Sequence, residues 1–157
     1  MLHMLVYLDF QDAAGAFITG EETMITVLPG QTTAMAGQSF SAGAAAELIV
    51  RLPEDTTAYL PFDRASGTVE FEGIQSAEVA GVRNTSGTLV SSLPVDQGYL
   101  QLYVVYLDAA GTVIGGASGA VESVPAGVSL PFEIADTAPP AGVATTNVYW
   151  QLGGQLW

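Results

Sequence analysis

The sequence predicts an all-β chain folded as an antiparallel β-sandwich, with part of a second copy at its N-terminus. Three observations predict it. Long stretches with a 3.6-residue apolar period, a cap and a stop are almost missing. Short apolar runs between turns recur at the length and spacing of sandwich strands. A stretch near the N-terminus is said again 96 residues later, as Asp12-Ala13-Ala14-Gly15 and Asp108-Ala109-Ala110-Gly111.

The strands are read in chain order. The clearest are residues 4–10 (MLVYLDF), 16–28 (AFITGEETMITVL), 68–74 (TVEFEGI), 77–84 (AEVAGVRN), 99–108 (YLQLYVVYLD), 112–124 (TVIGGASGAVESV), 130–134 (LPFEI) and 147–152 (NVYWQL). Residues 42–52 (AGAAAELIVRL) are the best helix candidate, but their second half reads equally as a strand, and Pro53 ends it. In residues 99–108, Leu100, Leu102, Val104 and Tyr106 fall on one face and are assigned to the core. Tyr99, Gln101, Tyr103 and Val105 fall on the other; a slip of one residue would bury Gln101.

The repeat extends beyond the tetrapeptide. At the same offset Tyr7 meets Tyr103, Ile18 meets Ile114, Gly20 meets Gly116 and Pro29 meets Pro125. With one gap Gly30 meets Gly127, Met35 faces Phe132, and residues 48–52 correspond to 148–152. Repetition at about one small sandwich per period marks tandem modules. The second copy has two further strands in front of it, and the first has none. Hence residues 1–53 are read as an incomplete repeat, 54–67 as a junction, and 68–157 as a complete module.

Residues 77–134 carry a recognisable pattern: Gly81-Val82-Arg83-Asn84, Val104-Val105-Tyr106-Leu107-Asp108, Ala109-Ala110-Gly111, Val113-Ile114-Gly115, Pro125-Ala126-Gly127 and Phe132. This resembles the FxLYD family of small β-sandwich modules of prokaryotic exported and envelope proteins. The Gly–Asn spacing is off by one, and Val104 and Leu107 stand where the namesake Phe and Tyr would be. Residues 8–35 match the later half of the same pattern. The resemblance implies an immunoglobulin-like sandwich and an extracytoplasmic setting, and it brings no catalytic residues.

Charge and composition exclude several functions. The net charge is −13, with 16 acidic residues against only Arg51, Arg64 and Arg83. Nucleic acid and anionic membrane surfaces need clustered positive charge, so neither is expected as a partner. Self-repulsion that keeps the chain soluble accounts for the imbalance. Cysteine is absent, which removes disulfides, thiolate catalysis and Cys-based metal sites. The opening MLHMLVYLDF has no basic region and makes a poor signal peptide. Residues 24–46 are uncharged but broken by Pro29 and glycines, so no membrane insertion is expected.

The motifs weigh towards structure. In each DAAG the Asp can bind the backbone two residues on, and the Gly supplies a positive φ at a hairpin corner. A calcium reading would use Asp9, Asp12, Glu21 and Glu22, or Asp108 and Glu122, but no loop offers six to eight oxygens. His3 is the lone histidine and cannot build a His-based metal site. No Gly-x-Ser-x-Gly elbow occurs. Gly115-Gly116-Ala117-Ser118-Gly119 has no Lys and no following helix, and reads as a closely packed strand. Glu54-Asp55 and Glu21-Glu22 are neighbours in sequence, not carboxylates facing across a cleft. Asn84-Thr85-Ser86 is taken as a strand-end turn rather than a glycosylation acceptor. Trp150 and Phe132 are assigned to the core.

No enzyme, cofactor or metal is therefore expected. The expected function is a structural or protein-interaction module of a larger exported or cell-envelope prokaryotic protein. Its partner would be a protein or a second copy, engaged through exposed strand edges of the N-terminal half module. The alternative is a carbohydrate- or calcium-binding accessory module of an extracellular enzyme. The candidate interaction surface is Tyr99, Tyr103, Tyr149 and Trp157.

Overall fold

The computed structural model describes residues 2–28, 30–36, 45–52, 57–59 and 67–153. Among these residues there is no helix. Ten strands form three antiparallel sheets: β1 Leu2–Gln11, β2 Phe17–Val27, β3 Glu47–Arg51, β4 Thr57–Tyr59, β5 Val69–Val79, β6 Val82–Ser91, β7 Gln97–Leu107, β8 Val113–Val124, β9 Ser129–Asp136 and β10 Thr145–Gly153. The chain divides into two compact units, Met1–Gln31 with Gln38–Phe62, and Thr32–Gly37 with Asp63–Trp157.

The first unit is one sheet, ordered β2-β1-β3, with β4 also on β1. Residues Tyr7–Gln11 of β1 pair with β3, and Leu2–Met4 pair with β4. The ambiguous stretch 42–52 therefore supplies a strand over 47–51, and the stretch read as a junction supplies β4.

The second unit is an immunoglobulin-like sandwich. β5 and β6 lie in one sheet, the chain crosses to β7 and β8 in the other, returns as β9 beside β6, and crosses again to β10 beside β7. The alternation in β7 sets its register: Leu100, Leu102, Val104 and Tyr106 are each 0% exposed. They pack with Leu89, Phe132, Ile134, Ala117 and Trp150, all buried. Phe71 meets Phe132 edge-on at 5.4 Å between ring centroids. The glycines of β8 permit close packing of this core. A Cβ on Gly119 would stand 2.9 Å from Ile134 Cγ1, and one on Gly115 the same distance from Pro140 Cγ.

Two strand readings are corrected. Residues 68–74 and 77–84 are not separate strands. β5 runs on through a bulge between Glu72 and Gln75, where Gly73 adopts φ 61°, so this glycine bends the strand without ending it. The reversal comes later, at Ala80 and Gly81, with φ 53° and 79°. Two successive positive φ values between paired Val79 and Val82 make a two-residue hairpin turn whose twist suits antiparallel strands. Asn84-Thr85-Ser86 accordingly lies inside β6, and Thr85 is buried.

The β1–β2 and β7–β8 hairpins match in register at the offset of 96. Asp9 pairs with Gly20 as Val105 pairs with Gly116, and the register shifts after Phe10 and after Tyr106. Their turns match bond for bond. Asp12 Oδ1 accepts the amides of Ala14 and Ala16 at 2.8 and 2.9 Å; Asp108 Oδ1 accepts those of Ala110 and Thr112, both at 2.9 Å. Gly15 and Gly111 follow at φ 79° and 82°. Each carboxylate satisfies two amides that the tight turn leaves without a strand partner. Asp108→Ala is therefore expected to destabilise the second unit by about 1–2 kcal/mol in urea unfolding, with Asp108→Asn recovering much of the loss.

Candidate functional site

Three of the four candidate aromatic residues meet on one face. Tyr149 of β10 stands directly opposite Tyr103 of β7, and Ser118 of β8 stands opposite Tyr103 on its other side. Tyr99 lies on the same face of β7, between Gly153 and Glu122. Its ring occupies the space that a Cβ on Gly153 would need, so this glycine makes a seat for the ring. Tyr99 is 37% exposed, while Tyr103 and Tyr149 are half-buried. Burial, and secondarily the charge of an ionised Tyr99, raise the Tyr103 hydroxyl above its ordinary pKa. Between the tyrosines, Gln101 Nε2 donates to Gly119 O at 2.8 Å. Trp157 lies outside the described residues, as do Glu54 and Asp55.

Part of this outer face is covered by a segment that sequence reasoning assigned to the N-terminal repeat. Thr33 Oγ1 donates to Trp150 O at 3.1 Å, and Gln151 Nε2 donates to Ala34 O at 3.4 Å. Ala36 lies against Gly116. This accounts for two buried residues on a face that alternation assigns to solvent, Val105 and Gln151.

The sheet of the first unit has two chemically different faces. On one, Asp9 Oδ2 accepts from Arg51 Nε at 2.6 Å, and the guanidinium lies 5.7 Å from the centroid of Tyr7. The hydrogen bond and charge of Asp9 raise the Arg51 pKa further. Gln11, Glu22 and Glu47 share this face by register, together with the apolar Leu5, Met24, Ile49 and Phe17, of which Phe17 and Met24 are 64% and 48% exposed. On the other face lie Met4, Val6, Leu8 and Phe10 of β1, Ile25 of β2, and Leu48 and Val50 of β3. Leu48 and Val50 are 49% and 56% exposed.

One end of the second unit's core is polar. Arg83 extends over the Tyr106 ring at 5.7 Å and reaches Glu78 at 3.2 Å. Thr85 Oγ1 donates to Ser76 Oγ at 3.1 Å, and buried Asp136 accepts the amide of Ala138 at 2.9 Å. The Tyr106 hydroxyl is buried, and neither of its polar neighbours, Thr85 and Asp136, meets hydrogen-bonding geometry with it. Burial first, then the charge of Asp136, raise its pKa. An acid whose pKa is raised by folding keeps its contribution below the unfolded value, near 10, and loses it as pH climbs from there through the higher folded value. Tyr106→Phe is expected to leave stability unchanged or raise it by up to about 1 kcal/mol at pH 8, because no bond is lost. It should also flatten the fall in stability above about pH 10. Urea unfolding at pH 8 and pH 11 checks both; a loss above about 2 kcal/mol at pH 8 would contradict the unbonded hydroxyl.

No protein-family model matches the chain, and no curated protein matches it. Among solved structures, it is similar to a crystal structure of a DUF1425 family member from Shewanella sp. pv-4. The two are 19% identical, with a TM-score of 0.41, over 60% of this chain and 89% of that one.

Among the described residues, no three His, Cys, Asp or Glu side chains gather as a metal site would require. None of the helices that crossing a membrane would need is present among them, which says nothing of β-barrels. The features with chemical character are thus two sheet faces. Alternation found the tyrosine face. It missed Leu48 and Val50, whose signal was the pairing of a short apolar strand beside the alternating β1.

Proposed function

We propose that this chain is a non-catalytic interaction module of a larger exported or cell-envelope prokaryotic protein. The observation that carries this reading is the two-faced sheet of the first unit, apolar on the side where Leu48 and Val50 are exposed. Exposed apolar surface on a sheet marks contact with another protein. The tandem reading draws support from the matched hairpins. β2-β1-β3 also repeats the order β8-β7-β10, and Ala46 N donates to Gln11 O as Ala144 N does to Leu107 O, each at 2.8 Å. The extracytoplasmic setting rests on the FxLYD-like pattern of residues 77–134. The test is a photo-crosslinking residue at Val50, with another at the exposed Glu22 on the Asp9–Arg51 face, in the cell that makes the protein. Protein adducts from position 50 and none from position 22 are expected; no adduct from position 50 refutes the reading.

The gathered tyrosines favour a second reading, a carbohydrate ligand stacked on Tyr103 and Tyr149. A glycan array with wild type and Tyr149→Ala decides it: binding lost in the variant supports it, and no binding by wild type sinks it.

A further inference from the structure

Residues 32–36 lie on the outer face of β10-β7-β8 and belong to no strand. Side chains tie them there: Thr33 Oγ1 donates to Trp150 O, and Gln151 Nε2 donates to Ala34 O. The Ala36 methyl sits where a side chain on Gly116 would stand. By register, the path from Gln151 to Gly116 crosses the row Tyr149, Tyr103, Ser118. Val105 and Gln151 are buried beneath it. The matched hairpin of the first unit shows what this face is without such a segment. At the offset of 96, Val105 and Gly116 correspond to Asp9 and Gly20. There Asp9 holds the exposed Arg51, yet strand order, hairpin register and turn bonds are the same. The strands therefore do not need a peptide on this face to keep their arrangement.

We infer that residues 32–36 are a displaceable latch, seated in a groove that takes an extended, uncharged peptide segment of a partner protein. The inference rests on the interaction reading above and adds a second surface to it, with the partner's chemistry. The latch itself shows what fits. The residue over Gly116 must be small, because the strand backbone lies directly beneath it. The residues before it supply a hydroxyl for the Trp150 carbonyl and a carbonyl for the Gln151 amide. Charge is selected against: residues 24–46 carry none, the chain is at −13, and Glu122 stands exposed on the same face of β8. Release is easy. Thr33 and Gln151 exchange their bonds for bonds to water, and the freed backbone regains conformational entropy. A segment held by side chains opens locally while the strand ladders stay closed. Being attached, the latch competes at an effective concentration on the order of millimolar. A partner segment prevails by running further, onto the Tyr99 ring that the latch leaves exposed.

The probe is a synthetic peptide of residues 30–37, GQTTAMAG, titrated into the isotope-labelled full chain. Binding is followed by NMR at the Gly116 amide and the Gln151 side-chain amide. Ala36→Glu unseats the latch, because it sets a charged side chain against Gly116 and alters no strand. This variant should bind the peptide with a Kd of about 0.1–1 mM. Wild type should bind it at least about tenfold more weakly, because its own latch competes. The same peptide carrying Ala36→Glu should bind neither chain. The urea midpoint of the variant, followed by tryptophan fluorescence, should stay near that of wild type. No binding of the peptide by the Ala36→Glu chain up to about 5 mM overturns the proposal. So does a variant whose second unit no longer unfolds cooperatively, since residues 32–36 would then be part of the fold and not a latch. If the peptide fails to bind while position 50 crosslinks to a protein, the groove is refuted and the interaction reading stands.

Discussion

Leu102→Ala is expected to lower the stability of the second unit by about 3–5 kcal/mol. Leu102 is fully buried, and its cross-strand neighbours on the inner face are Trp150 and Gly119. The loss has two parts: the transfer free energy of the removed carbons, and the cavity left where surroundings cannot close in. Here they close in poorly. Gly119 has no side chain to move into the gap, and Ile134 already rests against its backbone. Leu100 and Val104, on either side along the strand, are themselves wholly enclosed. Trp150 faces the site, so its fluorescence during urea unfolding reports this unit. A loss below about 1 kcal/mol would mean the core is not packed as described. Val50→Ala, at an exposed position, should change stability by about 0.5 kcal/mol or less.

Gly116→Ala is expected to cost about 2–3 kcal/mol, although it adds a single methyl group. The new Cβ would collide with the Val104 carbonyl oxygen and stand 2.7 Å from the Ala36 Cβ. A carbonyl held in a strand cannot rotate away as a side chain would. Relief at the carbonyl requires a shift of β8 against β7, and relief at Ala36 requires residues 32–36 to withdraw from the outer face. Hydrogen exchange should therefore show protection lost in β7 and β8. Gly98→Ala is the matched control: its Cβ would meet nothing within 4 Å, and its φ is ordinary. It should be close to neutral.

Much of this architecture was legible because period-two alternation states directly which side chains share a face. β7 is the clear case: four apolar residues in register sealed the core, and three tyrosines fell together on the far side. The paired Asp turns were legible because their chemistry is local, a carboxylate and a glycine within four residues. Glycine was less informative where its meaning depended on context. Gly73 reads like a turn yet makes a bulge, whereas Gly81 turns the chain only because Ala80 also takes a positive φ. The register of β3 was two residues from expectation. Arg51 pairs with Tyr7 as Tyr149 pairs with Tyr103, an offset of 98 where the sequence match suggested 100. A shift of two keeps every side chain on its face, so the apolar pattern could not detect it. Alternation also says which way Leu48 and Val50 point, but not whether a second layer covers them. Nor could it foresee that Thr33 and Ala34 bond to β10, since those contacts span 117 residues.

The bulge at Gly73 has a bearing on solubility. Among the described residues β5 is the outer strand of its sheet, and its outward side could template another chain. An extra residue bends the strand there and spoils the regular row of amides and carbonyls that a newcomer would need. Glu70, Glu72 and Glu78 stand exposed along the same strand and add charge. A chain shortened by one residue at Gly73 would keep its core and gain a straight, adhesive margin, so an irregularity in pairing acts as protection against aggregation.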